Sequence, residues 1–262
     1  MIESRDNFKI KQYIKLSNKK SYRDKLGKFV IEGVRILQDA LKYGVNFDNV
    51  FITENCISKT KNTDYDITNL CDYDVISEKI AGYMAGVNQS QGAFAIANKP
   101  PTISSDDIIN NDFVLALHDV QDPGNVGTLI RTADAFGFNK IVLSNSCDVY
   151  NPKVVRSTMG SLFRSNFLEC LDFEEFLDIV NIKKYATVVR KDALSLTKLN
   201  LNNGAMLIVG NEANGLPDNI VKKCDVKLTI NMLGETESLN AAVAGSICMY
   251  KFRECLQGSF NE

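Results

Sequence analysis

Apolar residues recur along this chain in two rhythms, short continuous runs and stripes at helical spacing. Near the start, Phe8, Tyr13, Ile14 and Leu16 predict an amphipathic helix. Lys28–Glu32 reads as a strand, and Val34, Ile36, Leu37, Ala40 and Leu41 as a helix that Gly44 stops. Further strands are expected at 50–53, 73–77 and 93–97, with helices between. Asn98, Lys99, Pro100 and Pro101, followed by small polar residues, break the pattern and read as a linker. The rhythm resumes at Phe113. Short apolar runs at 113–117, 140–144, 185–189, 205–209 and 226–230 suit a buried parallel sheet. Helices fit at 125–136, 173–180 and 217–223, and a long last helix runs from near Ser238 towards Leu256. The alternation predicts an α/β protein: a small domain at 1–98, a linker at 99–112, and a domain at 113–262. The second domain is expected to hold a mostly parallel sheet with helices on both faces. Ligands of such sheets collect at the carboxyl ends of the strands.

Composition narrows the class. At 45% hydrophobic and 24% charged, the chain is neither a disordered nor a membrane-spanning type, and 262 residues suffice for two cores. Its seven cysteines include no CxxC pair, which argues for reduced thiols and against a zinc site or a disulfide framework. Residues 1–6 lack an apolar signal region and no run is long enough to span a bilayer, so a cytoplasmic protein without membrane contact is expected. The net charge of −2 points to no nucleic acid. Its distribution changes the picture: Arg5, Lys9, Lys11, Lys15, Lys19, Lys20, Arg23, Lys25 and Lys28 face only Asp6 and Asp24 between residues 5 and 28. Such a run can neutralise several phosphates, with Arg23, Lys25 and Lys28 as candidate RNA contacts; a solvated helix face is the alternative.

Three polar, glycine-containing segments follow three of the predicted strands. In the first, Pro123-Gly124 forces a turn, Asn125 can cap the next helix, and Arg131 lies less than two turns on. The second, Gly210-Asn211-Glu212-Ala213-Asn214-Gly215, puts a carboxylate in a tight turn where Gly210 allows close backbone approach by a ligand. It is neither GxGxxG nor a phosphate-binding P-loop. In the third, Ser238 is a candidate N-cap, Ala241-Ala242-Val243-Ala244-Gly245 permits close helix packing, and Met232 and Leu233 offer soft apolar surface. Each segment alone is also readable as an ordinary strand–turn–helix.

Together and in order, they resemble the signature motifs of the SpoU/TrmH family of SPOUT RNA methyltransferases. Asp122-Pro123-Gly124-Asn125-Val126-Gly127-Thr128 with Arg131 resembles motif 1. Val209 to Leu216 resembles motif 2, and Ile230-Asn231-Met232 with Gly234, Ser238, Leu239 and Asn240 resembles motif 3. Ser157-Thr158-Met159-Gly160-Ser161-Leu162-Phe163-Arg164 is similar to a segment these enzymes place between motifs 1 and 2. Gly27 to Gly33, with Gln91-Gly92, resembles an L30e-like substrate-binding domain.

The resemblance implies S-adenosylmethionine-dependent methylation of a ribose 2′-oxygen, with ribosomal RNA, most of all 23S, favoured over tRNA. It implies a deep trefoil knot, an exception to unknotted chains, and a homodimer without metal. It assigns Asn125, Arg131, Glu212, Ser238 and Asn240 to catalysis. Leu207, Val209, Gly210, Asn211, Ile230, Met232, Ser238, Leu239 and Asn240 fall to the cofactor, and Arg131 and Arg164 to RNA. Arg131 is expected to stabilise charge on the attacking oxygen or fix a phosphate, with Glu212 holding it or a neighbour. His118, the single histidine, is read as a strand-end residue rather than the base. Asn231 departs from the family's usual proline and loosens the cofactor loop. A tRNA methyltransferase, an inactive RNA-binding relative, a base-directed enzyme and a nucleotide-dependent oxidoreductase remain the alternatives.

Overall fold

The computed structural model describes residues 1–86 and 90–257, so the end of the expected 113–262 domain lies outside the described residues. The chain forms two compact units, Met1–Pro101 with Asp148–Phe163, and Thr102–Cys147 with Arg164–Glu262. Among the described residues, no helix is long and apolar enough to cross a membrane.

The first unit opens with α1 (Phe8–Asn18), capped by Asn7, whose side chain accepts from the Lys9 N–H at 2.9 Å. Ile10, Tyr13 and Leu16 are its buried positions; Phe8, expected on that stripe, is the first residue of the helix and 70% exposed. There follow α2 (Lys20–Leu26), β1 (Lys28–Glu32), α3 (Val34–Lys42), β2 (Phe47–Thr53), α4 (Glu54–Thr60), β3 (Asp74–Ile76), α5 (Glu78–Ala85) and β4 (Ala93–Asn98). The sheet order is β1-β4-β2-β3, with β4 antiparallel to both neighbours and β2 parallel to β3. Tyr13 meets Phe51 and Phe94 edge-on, at 6.4 and 5.6 Å between ring centroids, in the centre of this core.

The chain continues as β5 (Phe113–His118), α6 (Pro123–Ala135), β6 (Lys140–Ser144), α7 (Pro152–Ser157), β7 (Asn166–Cys170), α8 (Phe173–Ile179), β8 (Lys184–Thr187), β9 (Leu194–Ser195), β10 (Ala205–Val209), α9 (Asp218–Lys222), β11 (Val226–Thr229) and α10 (Ala241–Gln257). All but α7 build the second unit. Its sheet runs β7-β6-β5-β10-β8-β11-β9, and every pairing among the described residues is parallel. Helices cover both faces. Phe173, Phe176 and Leu177 of α8 and Ile220 and Val221 of α9 share one buried cluster with Ala116, Ala186, Met206 and Ile208. On the opposite face a Cβ at Gly245 of α10 would meet Leu129 at 2.5 Å and Val209 at 3.2 Å. The small residues of α10 thus permit the close helix–sheet packing expected of them. The pattern did not predict β7, β9, α2 or α7, which are short elements without a full period of their own.

Residues 148–163 part company with the expected domain boundaries. Asp148 takes two hydrogen bonds from Arg23, at 2.8 and 2.6 Å, and Arg23 also donates to the Leu16 and Ser17 carbonyls. Tyr150 packs on Phe29 with ring centroids 4.9 Å apart, and Arg156 pairs with Glu32 at 3.1 Å. This segment therefore completes the core of the first unit. Arg23, expected to meet RNA, is only 3% exposed and holds the unit together instead. The expected linker is likewise built in: Ile103 N–H donates to the Phe167 carbonyl, Ile108 is buried, and Asp112 pairs with Lys140 at 2.6 Å in the second unit.

Candidate active site

The direction of strand succession reverses beside β5, so the loops after β5 and β10 open side by side at the carboxyl edge of the sheet. Asp119 leaves β5 in the left-handed region at φ 59°, and Asn145 leaves β6 likewise at φ 47°; Asp and Asn are the side chains that tolerate it best. One Asp119 carboxylate oxygen accepts from Gln121 Nε2 at 2.8 Å and Asn145 Nδ2 at 2.9 Å. Asn211 Nδ2 donates to the Asp119 carbonyl at 2.9 Å and to its other carboxylate oxygen at 3.2 Å. These bonds join the three loops into one floor. Asp119, Gln121 and Asn145 were not among the expected site residues; their signal is a short run of Asp, Asn and Gln directly after two apolar strands.

Asp122 caps α6, accepting from the Asn125 N–H at 2.8 Å with Pro123 at the first helical position. Asn125, expected to be that cap, is released for other work. Its Nδ2 donates to Glu212 at 3.0 Å, and its Oδ1 accepts from Asn240 Nδ2 at 3.0 Å. The same Glu212 oxygen accepts from the Asp122 N–H at 3.2 Å, and the other oxygen from the Gln121 N–H at 3.4 Å. Asn240 in turn caps α10, accepting from the Ala242 and Val243 N–H groups at 2.9 and 3.2 Å. Ser238 was expected in that role, but the helix begins only at Ala241. Glu212, Asn125 and Asn240 thus form a continuous chain linking all three motifs. Partial burial pushes the Glu212 carboxyl up; hydrogen bonds from Asn125 and from the backbone of Glu212, Asp122 and Gln121 outweigh it and hold the group below its ordinary value.

Next to this chain lies a cavity of about 380 Å³, within the size range of small-molecule sites. Of the residues expected at a cofactor, Val209, Gly210, Asn211, Ile230, Met232, Ser238 and Leu239 line it. Leu207 does not; it is fully buried inside β10 between β5 and β8. Asn240 joins Asn125 rather than the cavity wall. Gly210 is required for a different approach than expected: a Cβ there would stand 2.6 Å from the backbone of Gly215, which pairs back onto Asn211 to close the turn.

Arg131 sits apart from the chain of side chains. It is exposed on α6, and among the described residues its side chain makes no hydrogen bond or ion pair. Glu212 holds Asn125 and not Arg131. Arg164 is engaged by Asp134 at 2.7 Å, Lys28 pairs with Asp48, and Lys25 is exposed. His118 Nδ1 lies 3.2 Å from the Ser144 hydroxyl and its ring stacks on Phe173. Burial lowers its pKa, with Asp119 opposing, so it is neutral at pH 7. Among the described residues no group of His, Cys, Asp and Glu could hold a metal.

Residues 112–250 match the SpoU rRNA Methylase family, and residues 7–95 match the MRM3-like substrate binding domain. The 23S rRNA (guanosine(2553)-2'-O)-methyltransferase RlmP of Bacillus subtilis (strain 168) is 32% identical over 258 residues, which cover 96% of this chain and 98% of that protein. The 23S rRNA (uridine(2479)-2'-O)-methyltransferase of Streptomyces viridochromogenes is 33% identical over 152 residues, 55% of this chain and 53% of its own. Among solved structures, the AdoMet-bound rRNA methyltransferase from Sinorhizobium meliloti superposes with a TM-score of 0.83 at 26% identity over 97% of both chains.

Proposed function

This chain belongs to the SpoU rRNA methylase family, and on that premise we propose that it transfers a methyl group from S-adenosylmethionine to a ribose 2′-oxygen of RNA, with 23S ribosomal RNA as the substrate. The observation that carries the reading is the cavity at the switch point of the parallel sheet, edged by the Glu212–Asn125–Asn240 chain.

The cavity fits the cofactor. Val209, Ile230, Met232 and Leu239 give an apolar wall for an adenine ring, and Asn211 and Ser238 supply polar groups for the ribose and the amino acid end. When bound, S-adenosylmethionine supplies an electrophilic methyl group. The residues of the chain must then orient the hydroxyl and ease the loss of its proton, which passes to solvent water as the methyl group is transferred. Asn125, fixed at both ends of its amide, orients the ribose. Arg131 is always protonated and cannot serve as a base. Its unpaired guanidinium instead stabilises negative charge developing on the oxygen, or fixes the adjacent phosphate. Glu212 keeps Asn125 and the α6 entry in place, and Ser238 and Asn240 order the pocket from the third loop.

The same reading takes the first unit as an L30e-like RNA-binding domain, with Lys25 and Lys28 as contacts, and Arg164 as a residue that steadies the RNA-facing segment. It also takes the C-terminal segment as a deep trefoil knot; the insertion of β10 between β5 and β8, under α10, supports it. The active species is a homodimer in the cytoplasm. An exposed stripe of Val243, Ile247 and Tyr250 on α10 supports the dimer, as does the unpartnered Arg131.

The test is to map ribose methylation across total RNA with and without the gene; loss of one 23S nucleotide is expected. A lost mark in tRNA, or none at all, refutes the assignment. In the purified enzyme, Arg131→Ala should cut turnover by at least about 100-fold while calorimetric S-adenosylmethionine binding stays unchanged. Turnover near that of the wild type would remove Arg131 from the chemistry.

A further inference from the structure

We propose that Arg35 and Tyr65, on the first unit, form a joint stacking platform on which an unpaired base of the RNA substrate lies. The inference rests on the RNA reading above. Helix α3 starts directly after Gly33, which stands at φ 105°, and no side chain caps it. Its N-terminal end carries a partial positive charge. Arg35 lies in that first turn and is exposed, its guanidinium 5.0 Å from the centroid of the Tyr65 ring. Among the described residues no carboxylate pairs with it and no acceptor takes up its N–H groups.

The tyrosine sits on a loop held by its own hydrogen bonds. Asp66 accepts from the Thr68 N–H at 3.0 Å and its hydroxyl at 2.6 Å, and from the Asn62 N–H at 3.4 Å. Tyr65 N–H donates to the Thr63 hydroxyl at 3.2 Å, and Gln38 of α3 donates to the Asp64 carbonyl. These bonds fix the loop beside α3 while leaving Tyr65 38% exposed.

A second feature borders the same helix. A Cβ at Gly160 would stand 2.3 Å from the Asp39 carboxylate, which puts the Met159–Gly160 turn one helical turn from Arg35. Met159 is in the left-handed region at φ 50°, with its side chain 48% exposed. A strained backbone that presents an apolar side chain to solvent belongs to contact surfaces more than to packing. Unpaired RNA bases are read by stacking on aromatic rings and on guanidinium planes. The Arg35–Tyr65 pair offers both, with donors left over for a phosphate.

The experiment measures methyl transfer from labelled S-adenosylmethionine to total ribosomal RNA from cells lacking the gene. Arg35→Ala and Tyr65→Ala should each raise the KM for RNA about tenfold, with kcat and S-adenosylmethionine affinity changed less than about twofold. Tyr65→Phe keeps the ring and should keep the wild-type KM. Unchanged KM in both alanine variants, or an equal loss in Tyr65→Phe and Tyr65→Ala, overturns the platform alone. If the wild type itself methylates none of this RNA, the functional reading falls first and the platform with it.

Discussion

The Glu212 carboxylate gathers Asn125 and the N–H groups of Gln121 and Asp122, and among the described residues no cation pairs with it. Its charge is held by hydrogen bonds alone, which is why it titrates below the ordinary glutamate value of 4.5. A carboxyl with a lower pKa folded than unfolded stabilises the fold above its unfolded pKa. That contribution is lost as the pH falls through the folded pKa. Glu212→Gln replaces one acceptor oxygen by an NH2 group facing backbone donors. At neutral pH this should cost about 1 kcal/mol, discounted for exposure, and lower Tm by roughly 2–4 °C. The gap between wild type and variant should begin to narrow as the pH falls below the unfolded value of about 4.5, and close only below the folded pKa, where Glu212 is itself protonated. Melting curves at neutral and acid pH check this, and a gap independent of pH would count against it. At this scale the motif residues Asn125, Glu212 and Asn240 could be picked out only through the resemblance of three loops taken together, since each loop alone also reads as an ordinary strand–turn–helix. Their partners were not: a capping box can be read from sequence, but a bond across 87 or 115 residues needs the fold.

Elements were legible where a full period of apolar residues supports them. The central strands β5, β6 and β10 and the helices α3 and α6 fall within a few residues of expectation, because burial on both faces leaves an unbroken apolar run. Helix starts were less legible. Asp122 and Asn125 are both good caps, and Pro123 decides between them by taking the first helical position. Ser238 and Asn240 pose the same choice, and the backbone settles it for Asn240. The turn between β10 and α9 shows how an element can be right for a reason other than the one read. Gly210 makes room for the chain itself, since Gly215 closes the turn at 2.6 Å from where a Cβ would be. Both neighbours there are backbone, so nothing can swing aside. Gly210→Ala should therefore spread the Asn211–Gly215 turn and displace Asn211 from Asp119. S-adenosylmethionine affinity should fall by at least about tenfold and Tm by several degrees. Calorimetry and melting on the same sample check both; an alanine variant with intact affinity would show that the turn does not shape the cavity.

For the whole molecule, linear order misleads most around residues 148–163. Pattern and motif place the segment in the catalytic half, yet its buried Asp148 answers a buried Arg23, a match between charges 125 residues apart that no local window contains. The exposed α10 stripe poses the complementary question of what the single chain leaves uncovered. Val243, Ile247 and Tyr250 are spaced at i, i+4 and i+7, so they share one helical face. That face is apolar while the opposite one packs through Gly245 onto Leu129 and Val209. A second copy of the chain, related by a twofold axis, would cover the stripe with its own equivalent. Ile247→Glu places a charge in that contact, where burying it unpaired is costly. The expected result is a monomer by sedimentation, with the cavity intact but methyl transfer reduced by at least about 100-fold. If a second copy completes the site, dilution of the wild type should lower specific activity in the same direction, by mass action. A monomeric Ile247→Glu enzyme with full turnover would show that each chain completes its own site, and Arg131 would then have to reach the ribose from the α6 of the chain that binds it.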